Sequence, residues 1–185
     1  MTTRTKRILL FAVVAAFSLA FDQGSKVWAR RALKGLSPNG MTVIPNWWDF
    51  RYSENMGSVF GLFRQHAFAP ILLTILGVGI LALVLYQFLR EETTVATTFG
   101  YGFVVGGAIG NLIDRIAFGR VTDFIVWYFV SINPQGVSER HEWYTFNVAD
   151  AALVVGLVLL APMMLRPKSA GKNPHSNAVI ISSIE

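Results

Sequence analysis

The sequence predicts an all-α membrane protein with four transmembrane helices, a small β-rich segment and an interfacial loop. Hydrophobic residues make up 53% of the 185 residues and charged residues only 15%, against roughly one quarter charged in soluble domains. The apolar residues also fall into four runs without charge, at residues 8–21, 65–89, 93–113 and 151–165. The second and third runs, of 25 and 21 residues, can each cross about 30 Å of hydrocarbon.

Composition excludes several kinds of chemistry. The chain has no cysteine, so disulfides, thiol nucleophiles, thiolate metal sites and lipidation at cysteine are excluded. The dipeptide His141-Glu142 has Thr145 where a zinc peptidase would place a second histidine, which disfavours a zinc intramembrane protease. The net charge of +5 comes from scattered basic residues beside apolar runs, which indicates a membrane surface and not nucleic acid.

The first span is predicted at about residues 8–28. Its charge-free run, Ile8–Phe21, covers only about 21 Å as a helix, so the helix must continue through Asp22. Three basic residues before it and Ser18-Leu19-Ala20 also fit a cleaved secretory signal. A retained membrane helix is the preferred interpretation because the chain that follows is itself rich in membrane spans.

Between the first two spans, residues 29–66 are predicted to form a few short interfacial strands. Turn-forming residues at Ser37–Gly40 and Pro45-Asn46 are followed by the aromatic stretch Trp47–Tyr52. Alternating and aromatic residues of this kind are typical of strands at a membrane surface.

The remaining elements follow in order. The second and third spans, about residues 67–89 and 95–115, are joined by the short charged turn Arg90–Glu92. Residues 116–145 are predicted to be an interfacial loop carrying a polar insertion at 133–142. The fourth span, about 146–165, must begin before Asp150, because its 15-residue run covers only about 22 Å. Residues 1–165 therefore form one domain, and residues 166–185 a polar tail.

Connectivity brings the acidic residues together. Asp22 ends the first span, Asp114 ends the third and Asp150 starts the fourth, so alternating spans place all three at one membrane face. Ionisable groups at this depth are costly and are candidates for function. The count of Lys and Arg, seven on the side of the termini and nine on the other, does not orient the protein by the positive-inside rule.

Spacing indicates three local pairs. Asp22 and Lys26 are four residues apart with the acid first, the favourable order for a helical ion pair. Asn111 and Arg115 share a face of the third span, and Asn147 and Asp150 share a face of the fourth. Gly102, Gly106 and Gly110 recur every four residues, a pattern typical of close helix packing in lipid.

Two aspartates outside these pairs differ in their surroundings. Asp114 has Arg115 beside it, and we expect it to stay ionised through that or another cation. Asp123 lies between apolar residues without an adjacent cation, where desolvation raises a carboxyl pKa. A second acid nearby, such as Asp150, would leave one proton shared between the two at neutral pH. Aspartyl proteolysis requires such a pair, although simple structural acids remain an alternative.

Five sequence blocks together resemble the lipoprotein signal peptidases, the type II signal peptidases of bacteria. The blocks are Asp22–Lys26, Asn55–Phe60, Gly106–Arg115, Val121–Phe124 and Phe146–Asp150. The resemblance implies an aspartyl endopeptidase that removes the signal peptide from diacylglyceryl-modified prolipoproteins, cutting just before the lipidated cysteine. It also implies a multi-pass protein of the bacterial inner membrane, with cytoplasmic termini and an active site that faces the periplasm together with residues 29–66 and 116–145.

The same resemblance assigns roles to individual residues. Asp123 and Asp150 correspond to the family's catalytic pair, which activates a water molecule without a metal or cofactor. Substrate-binding or supporting positions correspond to Asn55, Gly57, Asn111, Asp114, Arg115 and Asn147, while Asp22 and Lys26 form a structural pair. The implied partners are prolipoprotein substrates and membrane lipid, with inhibition by cyclic peptide antibiotics of the globomycin type, and the chain is expected to act as a monomer.

The sequence departs from the family pattern at two places and leaves other functions open. Val59 stands where a smaller residue is common, and the insertion at 133–142 is expected to lengthen a periplasmic loop over the cleft. A small transporter or proton-conducting protein could also use clustered acids. A structural membrane partner is a further alternative. A serine–lysine peptidase using Ser25-Lys26 or Ser58 is disfavoured, because adjacent helical residues point about 100° apart.

Overall fold

The computed structural model describes residues 2–36, 38, 40–56 and 69–165. Four α-helices and a four-stranded sheet make up these residues, with a short 3₁₀ turn at Lys34–Leu36. The elements are α1 (Thr3–Ala32), β1 (Met41–Ile44), β2 (Trp48–Asn55), α2 (Ala69–Arg90), α3 (Val95–Phe118), β3 (Val121–Ile132), β4 (Ser138–Glu142) and α4 (Val148–Met164). Gly57, Ser58, Val59 and the tail 166–185 lie outside the described residues.

Three of the helices, α1, α2 and α3, are long and apolar enough to cross a membrane. The fourth, α4, is equally apolar but has only 17 residues, or about 26 Å at 1.5 Å per residue. The protein is therefore a multi-pass membrane protein, and crossing of the membrane by α4 remains a prediction. α1, with 30 residues, continues well past Asp22.

Helix α3 is the centre of the helical part and packs against the other three helices. Small residues allow the close approach: a Cβ atom at Gly106 would lie 2.6 Å from the Ala15 carbonyl oxygen of α1, and one at Gly107 would lie 2.6 Å from the Ala149 oxygen of α4. Both distances are shorter than any real contact, so glycine is required there. An apolar cluster of Phe88, Tyr101, Val104 and Leu160 joins α2, α3 and α4 further along.

The sheet is antiparallel with strand order β1-β2-β3-β4. The structure thus places two strands in residues 116–145, a segment whose sequence predicts an interfacial loop. The reason is the composition of β3, whose Val, Ile, Thr, Phe, Trp and Tyr residues favour a pleated strand. The insertion 133–142 forms a turn and β4, which pairs with the second half of β3 from Tyr128 to Ile132.

The end of α1 and the end of α3 position the sheet relative to the helices. Ala29 and Leu33 at the end of α1 form a buried cluster with Phe124 of β3. Gly119 ends α3 with a φ of 69°, the left-handed conformation that commonly terminates a helix and that glycine adopts without strain. The chain therefore turns directly from α3 into β3 and brings Asp123 back towards the helices.

Candidate active site

The start of α4 holds two of the predicted site residues in a reciprocal cap. The Asn147 side chain accepts a hydrogen bond from the Asp150 backbone N–H at 3.0 Å, and Asp150 Oδ2 accepts one from the Asn147 backbone N–H at 3.1 Å. This capping box satisfies two N–H groups that would otherwise be unpaired at the helix N-terminus. The Asp150 carboxylate is consequently held at the first turn of α4.

Asn147 also connects Asp150 to Asp123. Its Nδ2 atom donates to Asp123 Oδ1 at 2.7 Å, and its side chain is fully buried. Backbone hydrogen bonds between Phe146 and Ile125, in both directions, pin β3 against the segment that precedes α4. Asp123 and Asp150 are 27 positions apart in the sequence, and both accept a hydrogen bond from Asn147.

Asn111 of α3 supplies the next donor. Its Oδ1 atom accepts from Lys26 Nζ at 2.8 Å and from Asn147 Nδ2 at 3.1 Å, while its Nδ2 atom donates to Asp150 Oδ1 at 2.8 Å. The two donors at Oδ1 determine the orientation of the amide, because reversing it would place N–H groups against N–H groups.

Asn55 of β2 completes the set by donating from Nδ2 to Asp123 Oδ2 at 3.1 Å. The register of the sheet, which pairs Ser53 with Asp123 and Asn55 with Val121, brings this side chain near the acid. Each of the four carboxylate oxygens of Asp123 and Asp150 therefore accepts an N–H from an asparagine.

The electrostatic environment raises the pKa of Asp123. Burial, which leaves this residue 2% exposed, and the nearby negative charge of Asp150 raise the Asp123 pKa to about 7, while the hydrogen bonds from Asn55 and Asn147 act in the opposite direction. A proton is therefore held at this pair of acids near neutral pH.

Beside the two acids lies a layer of buried ion pairs. Lys26 Nζ is 2.9 Å from Asp22 Oδ2 and 3.7 Å from Asp114 Oδ2, and all three side chains are fully buried. Arg30 Nη1 lies 3.4 Å from Asp114 Oδ1. Two backbone N–H groups also donate to this layer, Ala149 to Asp22 Oδ1 and Thr122 to Asp114 Oδ2, both at 2.9 Å. Asp22 thereby holds the start of α4, and Asp114 holds the start of β3.

Sequence reasoning expected Arg115 or another cation beside Asp114 and did not identify Arg30 as that cation. Arg115 instead donates to the Asn111 backbone oxygen at 3.4 Å. Arg30 is four residues after Lys26 on α1, so the same i,i+4 spacing that indicated the Asp22–Lys26 pair was a signal for Arg30 as well.

The geometry also bears on the serine–lysine alternative. Ser25 Oγ donates to the Asp22 backbone oxygen at 2.8 Å. Lys26 Nζ is engaged by Asp22 and Asn111. Since the two side chains have separate partners, nothing at this position activates the serine as a nucleophile. Ser58 lies outside the described residues.

A buried carboxyl group, Asp123, and a partly buried one, Asp150, that share a proton can activate water for hydrolysis. The ionised acid acts as a general base on the water, and the protonated acid donates to the carbonyl oxygen under attack. Amide donors satisfy the carboxylate oxygens and carry no charge, so they hold the acids in place without fixing both as anions.

Comparisons with known proteins agree with this chemistry. A family model described as "Signal peptidase (SPase) II" matches residues 14–166. Among similar proteins, the lipoprotein signal peptidase of Clostridium novyi (strain NT) is 34% identical over 155 residues, covering 83% of this chain and 96% of its own. That of Rhodopseudomonas palustris (strain TIE-1) is 36% identical over 155 residues, covering 83% and 90%.

Two solved structures resemble the fold. Both are described as a bacterial membrane enzyme studied by the in meso method, at 1.9 Å and 2.3 Å resolution. The first has a TM-score of 0.69 and 25% identity, covering 84% of this chain and 92% of its own. The second has a TM-score of 0.68 and 26% identity, covering 88% and 92%.

Proposed function

Because this chain belongs to the signal peptidase II family of aspartic peptidases, which remove signal peptides from prolipoproteins, we propose that Asp123 and Asp150 are its catalytic pair. The observation that supports the assignment is the bridging asparagine: Asn147 donates to Asp123 through its side chain and to Asp150 through its backbone. No other pair of acids among the described residues is both linked in this way and surrounded by uncharged donors.

In the proposed reaction, Asp150 is the ionised base and Asp123 carries the shared proton. The raised pKa of Asp123, about 7, supports this order. Asp150 takes a proton from water as the oxygen attacks the scissile carbonyl, and Asp123 protonates the carbonyl oxygen. The tetrahedral intermediate then collapses: the C–N bond breaks, the leaving amine takes the proton from Asp150, and Asp123 recovers its own.

The proposed substrate is a prolipoprotein whose cysteine already carries diacylglycerol, cut just before that cysteine. Acyl chains buried in the bilayer contribute about 0.8 kcal/mol per CH₂ and would hold the scissile bond at the level of the acids. Asn55, Asn111 and Asn147 are proposed to orient the catalytic pair. Asp114, Arg115 and Gly57 are proposed as supporting or cleft residues. A cyclic peptide antibiotic of the globomycin type would compete for the same cleft.

The proposed topology places the chain in the bacterial inner membrane as a monomer surrounded by lipid. α4 would be the fourth span, with both termini and the tail 166–185 in the cytoplasm. The sheet and the catalytic pair lie at the same end of the helices, and this end would face the periplasm, as the resemblance to the family implies. Residues 1–165 would form the whole peptidase domain.

The test is cleavage of a diacylglyceryl-modified prolipoprotein in detergent by the wild type and three variants. Asp123→Asn and Asp150→Asn should each lower kcat by at least about 10²-fold, as removal of a general acid or base does. Asp114→Asn, folded as judged by circular dichroism, should keep partial activity. Full processing by Asp123→Asn would contradict the proposal and favour a transport or proton-conducting role for the acids.

A further inference from the structure

The sheet carries an exposed groove lined with aromatic side chains, here called the aromatic groove and defined by Trp47, Trp127, Phe129, His141 and Trp143. It encloses about 240 Å³. Trp47 is 54% exposed, Phe129 62% and Trp143 69%. Large aromatic surfaces left open in this way commonly mark a binding site.

The aromatic groove is continuous with the catalytic pair along one strand. Successive side chains of a strand point to opposite faces, so Asp123, Trp127 and Phe129 share one face of β3. Trp127 also packs edge-on against Phe146, with ring centroids 4.9 Å apart, and Phe146 directly precedes the bridging Asn147. At about 3.4 Å per residue, the groove begins roughly 14 Å from Asp123.

The outer wall of the groove comes from the insertion 133–142. His141 of β4 is paired with Phe129 and stacks on its ring at a centroid distance of 4.8 Å. β4 is fastened across the sheet by Arg140, whose Nη2 donates to buried Asp49 of β2 at 2.7 Å and whose guanidinium lies 3.4 Å from the centre of the Tyr128 ring. The wall is therefore a fixed part of the sheet, joined to β2 by the ion pair with Asp49 and to its neighbour β3 by the contact with the Tyr128 ring.

The path of the substrate indicates what occupies the groove. The signal peptide before the cleaved bond lies in the membrane, so the polypeptide after that bond must leave the site on the side of the sheet. An extended chain advances about 3.3 Å per residue. Residues four to six after the cleaved bond therefore reach the distance at which Trp127 and Phe129 lie from Asp123.

We propose that the aromatic groove binds the substrate polypeptide four to six residues beyond the cleaved bond and favours apolar or aromatic side chains there. This proposal rests on the proposed function, since it takes Asp123 as the site of cleavage. It adds a region of substrate recognition built by the insertion and separate from the lipid anchor.

The test uses three synthetic diacylglyceryl peptides with one common signal sequence. The first ends two residues after the lipidated cysteine. The second continues for eight residues with Leu and Tyr at positions five and six after the cleaved bond, and the third has Ser at both positions. For the wild type in detergent, kcat/KM for the second peptide should exceed that for the other two by roughly tenfold, as expected for partial burial of an aromatic side chain.

Variants distinguish the groove from general effects on the enzyme. Phe129→Ala and Trp143→Ala should each remove most of this tenfold preference. Val130→Ala, on the opposite face of β3 and 40% exposed, should retain it. For every variant, kcat/KM for the second and third peptides is divided by kcat/KM for the first. A smaller fraction of folded enzyme lowers all three values equally and leaves these ratios unchanged.

The outcomes separate the two proposals. If the wild type cleaves all three peptides equally well, the groove proposal is overturned and the peptidase assignment stands. If Phe129→Ala and Trp143→Ala slow all three peptides by one common factor, the groove affects the enzyme in general and not this part of the substrate, and the proposal is equally overturned. Failure of folded wild type to cleave even the first peptide would overturn the proposed function, and the groove proposal with it.

Discussion

The buried carboxyl group of Asp123 should make the protein less stable as the pH rises, and Asp123→Asn should remove that effect. Burial and the charge of Asp150 raise the Asp123 pKa from 3.8 to about 7. A folded-state pKa above the unfolded value means that the folded protein binds the proton more tightly. The stabilisation from this group is therefore complete below about pH 3.8 and is lost as the pH rises to about 7.

The size of the effect follows from the two pKa values. A difference from 3.8 to about 7, at 1.36 kcal/mol per unit, corresponds to about 4 kcal/mol of unfolding free energy. For a protein of this length, each kcal/mol changes the Tm by about 2–4 °C. The Tm difference between Asp123→Asn and the wild type should thus grow in favour of the variant by roughly 8–16 °C between pH 4 and pH 7.

The assay is thermal unfolding in one detergent from pH 4 to pH 8. Taking the difference between variant and wild type cancels the groups that titrate alike in both, and the change of that difference with pH also excludes the constant cost of the substitution. As a matched control, the same substitution in an Asp150→Asn background should show a smaller change with pH, because the second cause of the raised pKa is gone. A Tm difference that stays constant from pH 4 to pH 8 would refute the assignment of the shared proton to Asp123.

Three further outcomes are expected. The wild-type kcat should fall as the pH rises through about 7, where Asp123 loses its proton. The hydrogen bond from Asn55 lowers the Asp123 pKa, so Asn55→Ala should raise that pKa and move the fall to higher pH in a pH–rate profile. Lys26→Met should destabilise the protein by about 3–5 kcal/mol in thermal unfolding, and adding Asp22→Asn should recover part of that loss. Gly110→Ala should cost about 1–3 kcal/mol, because its Cβ would collide with Asp22 Oδ2; an unchanged Tm would contradict the close approach of α1 and α3.

Alternation of the spans predicted that Asp22, Asp114 and Asp150 lie at one face of the membrane, and the contacts agree with it. Asp22 and Asp114 lie on either side of Lys26, and Asp22 accepts a hydrogen bond from the first turn of α4, which also contains Asp150. These contacts follow from connectivity, since antiparallel neighbours bring alternate ends together. The i,i+3 spacing of Asn147 and Asp150 likewise corresponds to a capping box.

The sheet and the orientation of the amides could not be derived from local patterns. β2 and β3 pair across about 70 residues, and the register that brings Asn55 to Asp123 includes a bulge between Phe50 and Ser53. The orientation of Asn111 depends on Lys26, 85 positions away. Local sequence determines propensity and spacing, whereas both of these features depend on which distant donor reaches which acceptor.

The arrangement of charges explains how a site rich in acids can keep a proton. The cations Lys26 and Arg30 contact Asp22 and Asp114, while Asp123 and Asp150 accept hydrogen bonds from uncharged asparagines. A cation in direct contact with Asp123 would favour its anion and remove the proton that aspartyl catalysis requires. Asn111 lies between the two layers, accepting from Lys26 and donating to Asp150. The hydrogen bond from Lys26 fixes the Asn111 amide so that its Nδ2 atom points to Asp150. The charged Lys26 therefore orients the catalytic pair through Asn111 without contacting either catalytic acid.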